Sequence, residues 1–245
     1  MSRDIEHGGR PGGDLTGDTG RLGRPRLHLR ETTSTNERAR GLAEAGAPHG
    51  TLVTAGVQTA GRGRQGRMWT APPGRALLLS LVLRDPDPLL PLRAGLAVAD
   101  LAGPAAEVKW PNDVLVDGRK VAGVLVEARP QAGWAVAGIG VNAALEPGDL
   151  PPELRDRAGT LGRSPAELDA VLVELLDFLE RRLAEPAAAT LTALRGRDAL
   201  LDRPVRWAGG HGIGAGIDGG GGLRVRRADG TVTVLDAGEV HLESG

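Results

Sequence analysis

Two residues of this chain stand out by type, because only two of its 30 basic side chains are lysines. They are Lys109, in a Val-Lys-Trp-Pro-Asn-Asp segment, and Lys120, eleven residues further on. An ammonium is a compact point charge on a thin stem, whereas a guanidinium is a planar fork, so the two differ at a reacting centre. The simpler explanation is chance retention of two surface lysines. The alternative is a pair of positions at which a fork does not fit.

A loop rich in glycine and arginine, Gly61 to Arg67, could bind an anion. Its three glycines allow the backbone to turn N–H groups toward a ligand, and its three arginines offer paired donors to phosphate or carboxylate. It is not a Walker loop, since no Gly-Lys-Ser/Thr follows. An RNA-binding or merely flexible loop would have the same composition. Its place between two predicted strands favours an anion clasp.

The segment from Lys109 to Asp113 places opposite charges beside a rigid Trp-Pro bend. A carboxylate next to a phosphate site can hold Mg²⁺, which makes Asp113 a candidate metal ligand. A structural Lys–Asp ion pair accounts for the same spacing. Asp117-Gly118 then predicts a tight hairpin turn. Along the strand that follows, alternation would turn Lys120 toward the site and Arg119 toward solvent.

A Gly-Ile-Gly-Val-Asn segment ends at Asn142 and closes a predicted strand. Its two glycines permit a flat ring to approach the backbone, and Asn142 could bond to that ring or to a ribose. The segment lacks the third glycine and the following helix of a dinucleotide-binding fold. By itself it indicates a ligand contact and no particular cofactor.

Composition excludes several classes of protein. No cysteine is present, so there is no thiol nucleophile and no disulfide, and the five histidines show no metal-ligand spacing. A net charge of −1, one Phe and no Tyr argue against a nucleic-acid-binding module. Neither a transmembrane run nor a signal peptide is visible. These features predict a soluble, cytoplasmic protein that does not bind a membrane.

Hydrophobic periodicity predicts a mixed α and β chain. Residues 1–25 are too polar and glycine-rich to bury a core, so we expect a disordered tail. The predicted helices are 37–43, 89–101, 165–184 and 187–194, and the predicted strands are 51–57, 76–83, 114–116, 121–126 and 134–141. Short strands at 205–207, 212–217, 223–225 and 232–235 alternate with glycine-rich turns and predict a small β-barrel module.

These segments, in this order, resemble the biotin protein ligases over residues 28–243. The matching stretches are Ser34-Thr35-Asn36, Gln58 to Trp69, Lys109 to Asp113, Arg119 to Glu127, and Gly138 to Asn142. No single motif is specific, but the conjunction is. The resemblance implies an α+β fold, in which a mixed β-sheet with helices packed on one face (26–198, class II synthetase-like) precedes an SH3-like β-barrel (199–245).

The resemblance also implies roles for individual residues. The biotin-binding residues would be Ser34, Thr35, Asn36, Gln58, Gly61, Arg62, Gly63, Arg64 and Lys120. The nucleotide-binding residues would be Arg64, Arg67, Trp69, Lys109, Asn112 and Asn142. Lys120 and Arg64 would be catalytic, with Lys120 where the carboxylate of biotin meets the α-phosphate of ATP, and Asp113 would be the metal ligand.

The implied activity joins biotin to AMP, with ATP and Mg²⁺ as cosubstrate and cofactor, and passes it to a lysine of a biotin carboxyl carrier domain of an acyl-CoA carboxylase. The short polar N-terminal segment cannot form the DNA-binding domain of some family members, so no DNA partner is expected. The resemblance is compatible with a weak homodimer. The alternative is a lipoate ligase of related fold. The glycine-arginine loop and the Lys-Trp-Pro-Asn-Asp segment favour biotin.

Overall fold

The computed structural model describes residues 22–243, which form two β-sheets and four α-helices. The strands of the first sheet are β1 Arg26–Thr32, β2 Leu52–Gln58, β3 Leu77–Arg84, β4 Glu107–Lys109, β5 Asp113–Val116, β6 Arg119–Arg129 and β7 Trp134–Val141. Those of the second sheet are β8 Pro204–Trp207, β9 Gly210–Ile217, β10 Leu223–Arg226, β11 Val232–Leu235 and β12 His241–Leu242. The helices are α1 Thr35–Glu44, α2 Leu90–Ala102, α3 Leu168–Ala184 and α4 Ala187–Arg195.

The first sheet is mixed, as predicted. Its strand order is β1-β2-β3-β7-β6-β5-β4, with β1 parallel to β2 and every other pair antiparallel. The central strands β3 and β7 are apolar except for Ser80 and the terminal Arg84 of β3, because both of their faces are covered or line the site. The predicted strands and helices match these bounds to within a few residues. Strands β1 and β12 were not predicted, nor was the three-residue strand β4, which carries Lys109.

Helices cover both faces of this sheet, so the prediction of helices on one face is wrong. Helices α2 and α3 pack with Leu79, Leu81 and Ala137 in the main core. Helix α1 instead packs its buried Ala39 and Ala43 against valines of the opposite face. The physical reason is the alternation along each strand, which gives both faces of β3 and β7 apolar side chains. The face that α1 covers in part also carries the site described below.

The C-terminal strands form a five-stranded antiparallel sheet in the order β11-β10-β9-β8-β12. The predicted SH3-like barrel is not confirmed, because β11 and β12 lie at opposite edges and are not paired within the described residues. This sheet shares one hydrophobic core with the first, since Leu223, Val225 and Val240 belong to the same buried cluster as helices α2 and α3.

The packed part of the chain begins earlier than predicted. Leu22 is 2% exposed and belongs to the main core, and its backbone N–H donates to Glu180 Oε1 at 2.7 Å. The next N–H, that of Gly23, donates to Gly50 O at 2.8 Å. Residues 22–25 are therefore not part of a disordered tail, and the composition missed them because one leucine in a polar stretch carries no periodic signal. The remainder of the predicted tail lies outside the described residues.

Candidate active site

One cavity gathers nearly all of the predicted site residues. It lies between the α1 end of the first sheet, the loop from Gly61 to Trp69, the Lys109–Asp113 segment and the C-terminal residues 238–240. The predicted site residues that line it are Ser34, Thr35, Asn36, Gln58, Arg62, Gly63, Arg64, Arg67, Trp69, Lys109, Asn112, Asp113 and Lys120. Gly61 and Asn142, which were also predicted, do not line it. Segments as far apart in sequence as Ser34 and Val240 thus meet at one place.

Lys120 reaches this cavity from the start of strand β6. Asp117 and Gly118, with φ of 50° and 72°, form the left-handed turn that joins β5 to β6. As predicted, Lys120 faces the cavity while Arg119 is exposed. Lys120 Nζ lies 2.7 Å from Asp113 Oδ1 and 5.4 Å from the centre of the Trp69 ring. The ammonium is therefore held over the cavity by one carboxylate and one aromatic face.

Lys109 lies on the other side of the same carboxylate. It pairs with Asp113 in the β4–β5 ladder, and its Nζ is 3.7 Å from Asp113 Oδ2. Burial lowers the pKa of Lys109 below its ordinary value of 10.5; the charge of Asp113 opposes this shift and that of Lys120 adds to it. Two ammonium groups thus share one carboxylate, which leaves net positive charge for an anionic ligand.

The glycine-arginine loop closes over the cavity as a small hairpin. Gly63 N–H donates to Arg67 O at 2.7 Å, and Trp69 N–H donates to Gly61 O at 2.9 Å. A Cβ at Gly61 would overlap the Trp69 carbonyl, so glycine is required where the two arms of the loop meet. Gly61 therefore shapes the loop from outside the cavity.

Two arginines of this loop reach across to the rest of the site. Arg64 donates to Asn112 Oδ1 at 3.2 Å and to Gly238 O at 2.9 Å. Arg67 forms an ion pair with Glu239. The C-terminal segment therefore supplies a wall of the cavity that the sequence motifs did not indicate, because the contact joins residues more than 170 positions apart.

The opposite end of the cavity is uncharged and hydrogen-bonded. Gln58 Oε1 accepts the Thr35 backbone N–H at 2.7 Å and lies 3.0 Å from Thr35 Oγ1. Behind Thr35 lies Ser80, which is fully buried and contacts both Thr35 Oγ1 and Asn36 Oδ1. Sequence reasoning missed Ser80. The signal was a single hydroxyl in the middle of an otherwise apolar strand.

Glycines on β6 and β7 form the floor of the cavity. A Cβ at Gly138 would overlap Asn36 Oδ1, and one at Gly140 would overlap the Trp69 indole. At Gly123, a Cβ would lie 3.1 Å from the Trp69 ring and 3.2 Å from Lys120 Nζ. These glycines let side chains of other elements rest directly on the sheet. Trp69 Nε1 is buried against this floor and has no hydrogen-bond partner among the described residues.

Asn142 lies behind the cavity rather than in it. Its Nδ2 donates to Gly159 O at 3.1 Å and to Lys120 O at 3.3 Å, and the segment 157–159 pairs with Lys120 through backbone hydrogen bonds. In this arrangement Asn142 fixes the backbone of Lys120. The predicted contact of Asn142 with a nucleotide stays a prediction.

The surroundings of Asp113 offer few other protein ligands for the predicted metal ion. The described residues contain no group of three or more His, Asp or Glu side chains placed to hold a metal ion. Both carboxylate oxygens of Asp113 face lysine ammonium groups. A Mg²⁺ ion at this place would have to take its other ligands from nucleotide phosphates and water, which is its usual preference. Asp113 could supply one oxygen, after an ammonium had turned away.

Comparison with known proteins agrees with this architecture. Residues 29–143 match the model of the Biotin/lipoate A/B protein ligase family. The biotin–[acetyl-CoA-carboxylase] ligase of Mycobacterium tuberculosis is 37% identical over 86% of this chain and 87% of its own length. The enzyme of that name from Paracoccus denitrificans is 37% identical over 86% and 98%, respectively. The chain therefore belongs to the biotin/lipoate protein ligase family, and these long matches are to its biotin ligases.

Other relatives match over less of their length. The bifunctional ligase/repressor BirA of Bacillus subtilis is 40% identical over 55% of this chain and 45% of its own, so the match spans about half of that relative. Among solved structures, the biotin protein ligase from Aquifex aeolicus in complex with biotin and ATP superposes with a TM-score of 0.77 at 29% identity, covering 91% of this chain and 100% of that one. No helix within residues 22–243 combines the length and apolar character needed to cross a bilayer.

Proposed function

We propose that this chain activates biotin with ATP as biotinyl-5′-AMP and transfers the biotinyl group to a lysine of a biotin carboxyl carrier domain. The observation that carries the proposal is the position of Lys120. Its ammonium, held by Asp113, lines the same cavity as a neutral, hydrogen-bonding group of side chains and a cluster of arginines. Such an arrangement suits the meeting of a small carboxylic acid with a nucleotide phosphate.

The first step joins two anions that repel each other. The carboxylate oxygen of biotin attacks the α-phosphorus of ATP, a P–O bond forms, and pyrophosphate leaves with the electron pair of the broken bond. Lys120 supplies a point charge where the two anions meet, and Arg64 supplies paired donors from the opposite side. Asp113 holds Lys120 in place before the ligands bind. No nucleophile of the enzyme is consumed.

The uncharged end of the cavity favours biotin over lipoate. Thr35, Gln58 and Asn36 present fixed donors and acceptors there, and a cyclic urea can satisfy them. A dithiolane ring has neither an N–H nor a carbonyl. A site built to hydrogen-bond its ligand rejects an analogue that lacks those groups by about 10⁴-fold or more, because its own buried polar atoms would then be unpaired.

The nucleotide occupies the arginine side of Lys120 in this proposal. Arg67, Trp69, Lys109 and Asn112 would contact it, and Mg²⁺ would arrive with its phosphates. A second cavity, of about 610 Å³, is lined by Val121, Gly159 and the segment that Asn142 fastens to Lys120. We infer that the adenosine half lies on this side. In this proposal the adenine ring contacts Asn142.

In the second step the uncharged amine of the acceptor lysine attacks the carbonyl carbon of the mixed anhydride. An amide bond forms, AMP leaves, and the amine proton passes to solvent. The carrier domain of an acetyl-CoA or related acyl-CoA carboxylase is the proposed partner. We infer that the C-terminal sheet acts as a barrel-like module whose residues 238–240 close the site.

Three further points belong to this proposal. We propose that the activity is cytoplasmic, which the need for ATP and for a carboxylase subunit supports. The net charge of −1 offers no steering toward DNA, so we propose no role at a promoter. A homodimer, if formed, would be weak.

Pyrophosphate release tests the proposal. The protein is mixed with Mg-ATP and either biotin or lipoate, and pyrophosphate is followed with time, with ATP alone as the control. We expect release that depends on biotin and stops at about one equivalent, since the adenylate remains bound without acceptor. Release with lipoate alone would identify the alternative ligase, and release with neither acid would contradict the proposal.

A further inference from the structure

Glu127 lies on strand β6, outside the cavity, but it ends a hydrogen-bond chain that reaches the cavity. The members of this chain, from its charged end to the cavity, are Glu127, Asn36, Ser80, Thr35 and Gln58. Its two ends are half-buried, since the side chain of Glu127 is 24% exposed and pairs with Arg40 at 3.8 Å, and Gln58 lines the cavity. Asn36, Ser80 and Thr35 are buried.

The amide of Asn36 can have only one orientation in this chain. One end of the amide lies 2.9 Å from Glu127 Oε2 and 3.4 Å from Leu125 O. A carboxylate and a carbonyl only accept, so this end must be Nδ2. Asn36 Oδ1 is therefore turned toward Ser80 Oγ, at 2.6 Å. Glu127 sets the direction of the first link.

Beyond Asn36 the chain has fewer protons than contacts. Three oxygen–oxygen contacts follow, from Asn36 Oδ1 to Ser80 Oγ at 2.6 Å, from Ser80 Oγ to Thr35 Oγ1 at 2.8 Å and from Thr35 Oγ1 to Gln58 Oε1 at 3.0 Å. The two hydroxyls supply two protons. Asn36 Oδ1 and Gln58 Oε1 supply none, and Gln58 Oε1 is fixed as an acceptor by the Thr35 backbone N–H.

The single proton of Ser80 lies in its shorter contact, the one to Asn36 Oδ1. Thr35 donates its own proton to Gln58 Oε1, so no proton lies between Ser80 Oγ and Thr35 Oγ1. Both Thr35 and Gln58 line the cavity. Thr35 Oγ1 thus accepts no proton from the chain and keeps its lone pairs for a ligand at the polar end of the cavity, and the Nε2 of Gln58 provides the neighbouring donor. An N–H next to a carbonyl complements this pattern.

We propose that Glu127 is a positioning residue that, through Asn36 and Ser80, keeps Thr35 Oγ1 an acceptor for one ureido N–H of the substrate. This inference rests on the proposed function and deepens it, because it assigns the selection of a cyclic urea to a carboxylate that the ligand never touches. In Glu127→Gln, the new amide can donate to Asn36. Asn36 could then turn its Nδ2 to Ser80, and all three contacts would have a proton without any ligand.

A cycle of protein and ligand variants tests this inference. The ligands are biotin and two analogues, in each of which one ureido N–H is replaced by CH₂, and their affinities are measured by calorimetry. Wild type should lose at least about tenfold in affinity for one of the analogues. Glu127→Gln should bind biotin roughly three- to tenfold more weakly and bind that analogue as wild type does. Glu31→Gln, at an exposed carboxylate on β1, is the charge-matched control.

An equal loss of affinity for all three ligands in Glu127→Gln, or no loss for biotin, would overturn the inference. Ser80→Ala cuts the same chain at its middle and should give the same pattern, which keeps the test decisive if Glu127→Gln does not fold. Failure of the proposed function is a separate result. In that case wild type would neither bind biotin nor release pyrophosphate with it.

Discussion

Lys120 and Arg119 are neighbours on one strand, yet only Lys120 faces the cavity. We expect Lys120→Arg to lower the rate of adenylate formation by about 100-fold or more, because a planar fork cannot occupy the space between Asp113 and the Trp69 ring as an ammonium does. Single-turnover formation of biotinyl-AMP measures this. The reverse exchange, Arg119→Lys, is the control and should leave the rate unchanged. A near-normal rate in Lys120→Arg would show that only charge matters there.

Lys109 makes the binding and use of ATP sensitive to alkaline pH. Because burial lowers its pKa, it loses its proton at a lower pH than an exposed lysine does, and its charge is available for phosphate only below that pKa. We therefore expect kcat/KM for ATP to fall with rising pH before the ordinary lysine value of 10.5 is reached. In Lys109→Arg the fall should move to higher pH, since a guanidinium stays charged.

The pH profile of that variant is the decisive measurement, whatever its rate at neutral pH. If wild type and Lys109→Arg lose activity at the same alkaline pH, another group governs the fall.

At the scale of secondary structure, the approach of α1 to β7 depends on Gly138. A Cβ there would overlap Asn36 Oδ1, and α1 would have to shift. We expect Gly138→Ala to raise KM for biotin at least about tenfold and to lower the free energy of unfolding by about 1–3 kcal/mol. Gly41→Ala, at an exposed position within α1 where a Cβ meets no atom within 4 Å, should instead stabilise by about 0.5–1 kcal/mol.

Steady-state kinetics and denaturant unfolding of both variants measure these effects. An unchanged KM for biotin in Gly138→Ala would mean that the N-terminus of α1 does not shape the pocket.

Local sequence patterns were sufficient to predict most of the helices and strands and one side of the site. The alternation in β6 gave the facing of Lys120, and the glycine content of the loop gave its tight closure. A three-residue strand such as β4 has no period to detect. Ser80 was missed because a buried hydroxyl becomes informative only when its partners on α1 are known. The direction in which Asn142 faces is decided by the pairing of Lys120 with residues 157–159, which is a long-range contact.

At the scale of the whole molecule, the two sheets share the main hydrophobic core and the cavity. Trp110 Nε1 donates to Gly221 O at 2.9 Å, and Arg195 Nε donates to Ile217 O at 2.9 Å. Val240 belongs to the main core and also lines the cavity. The C-terminal wall at residues 238–240 could not be predicted, since no motif marks a contact that forms only when the two sheets dock.

This shared core predicts cooperative unfolding. We expect a single calorimetric transition whose calorimetric and van't Hoff enthalpies agree. In Trp110→Phe the Gly221 carbonyl loses its donor, which should lower the free energy of unfolding by about 1–3 kcal/mol while leaving a single transition. Two resolved transitions in the wild-type protein would show that the C-terminal sheet is an independent unit and that the cavity wall it supplies is not tightly held.

Labelling of an acceptor protein tests the central claim most directly. A biotin carboxyl carrier domain is incubated with the protein, Mg-ATP and equal concentrations of biotin and lipoate, and its intact mass is then measured. The account predicts one biotinyl group on a single lysine, no lipoyl group, and no product when the acceptor lysine is replaced by arginine. A carrier that stays unmodified, or that gains a lipoyl group, would contradict it.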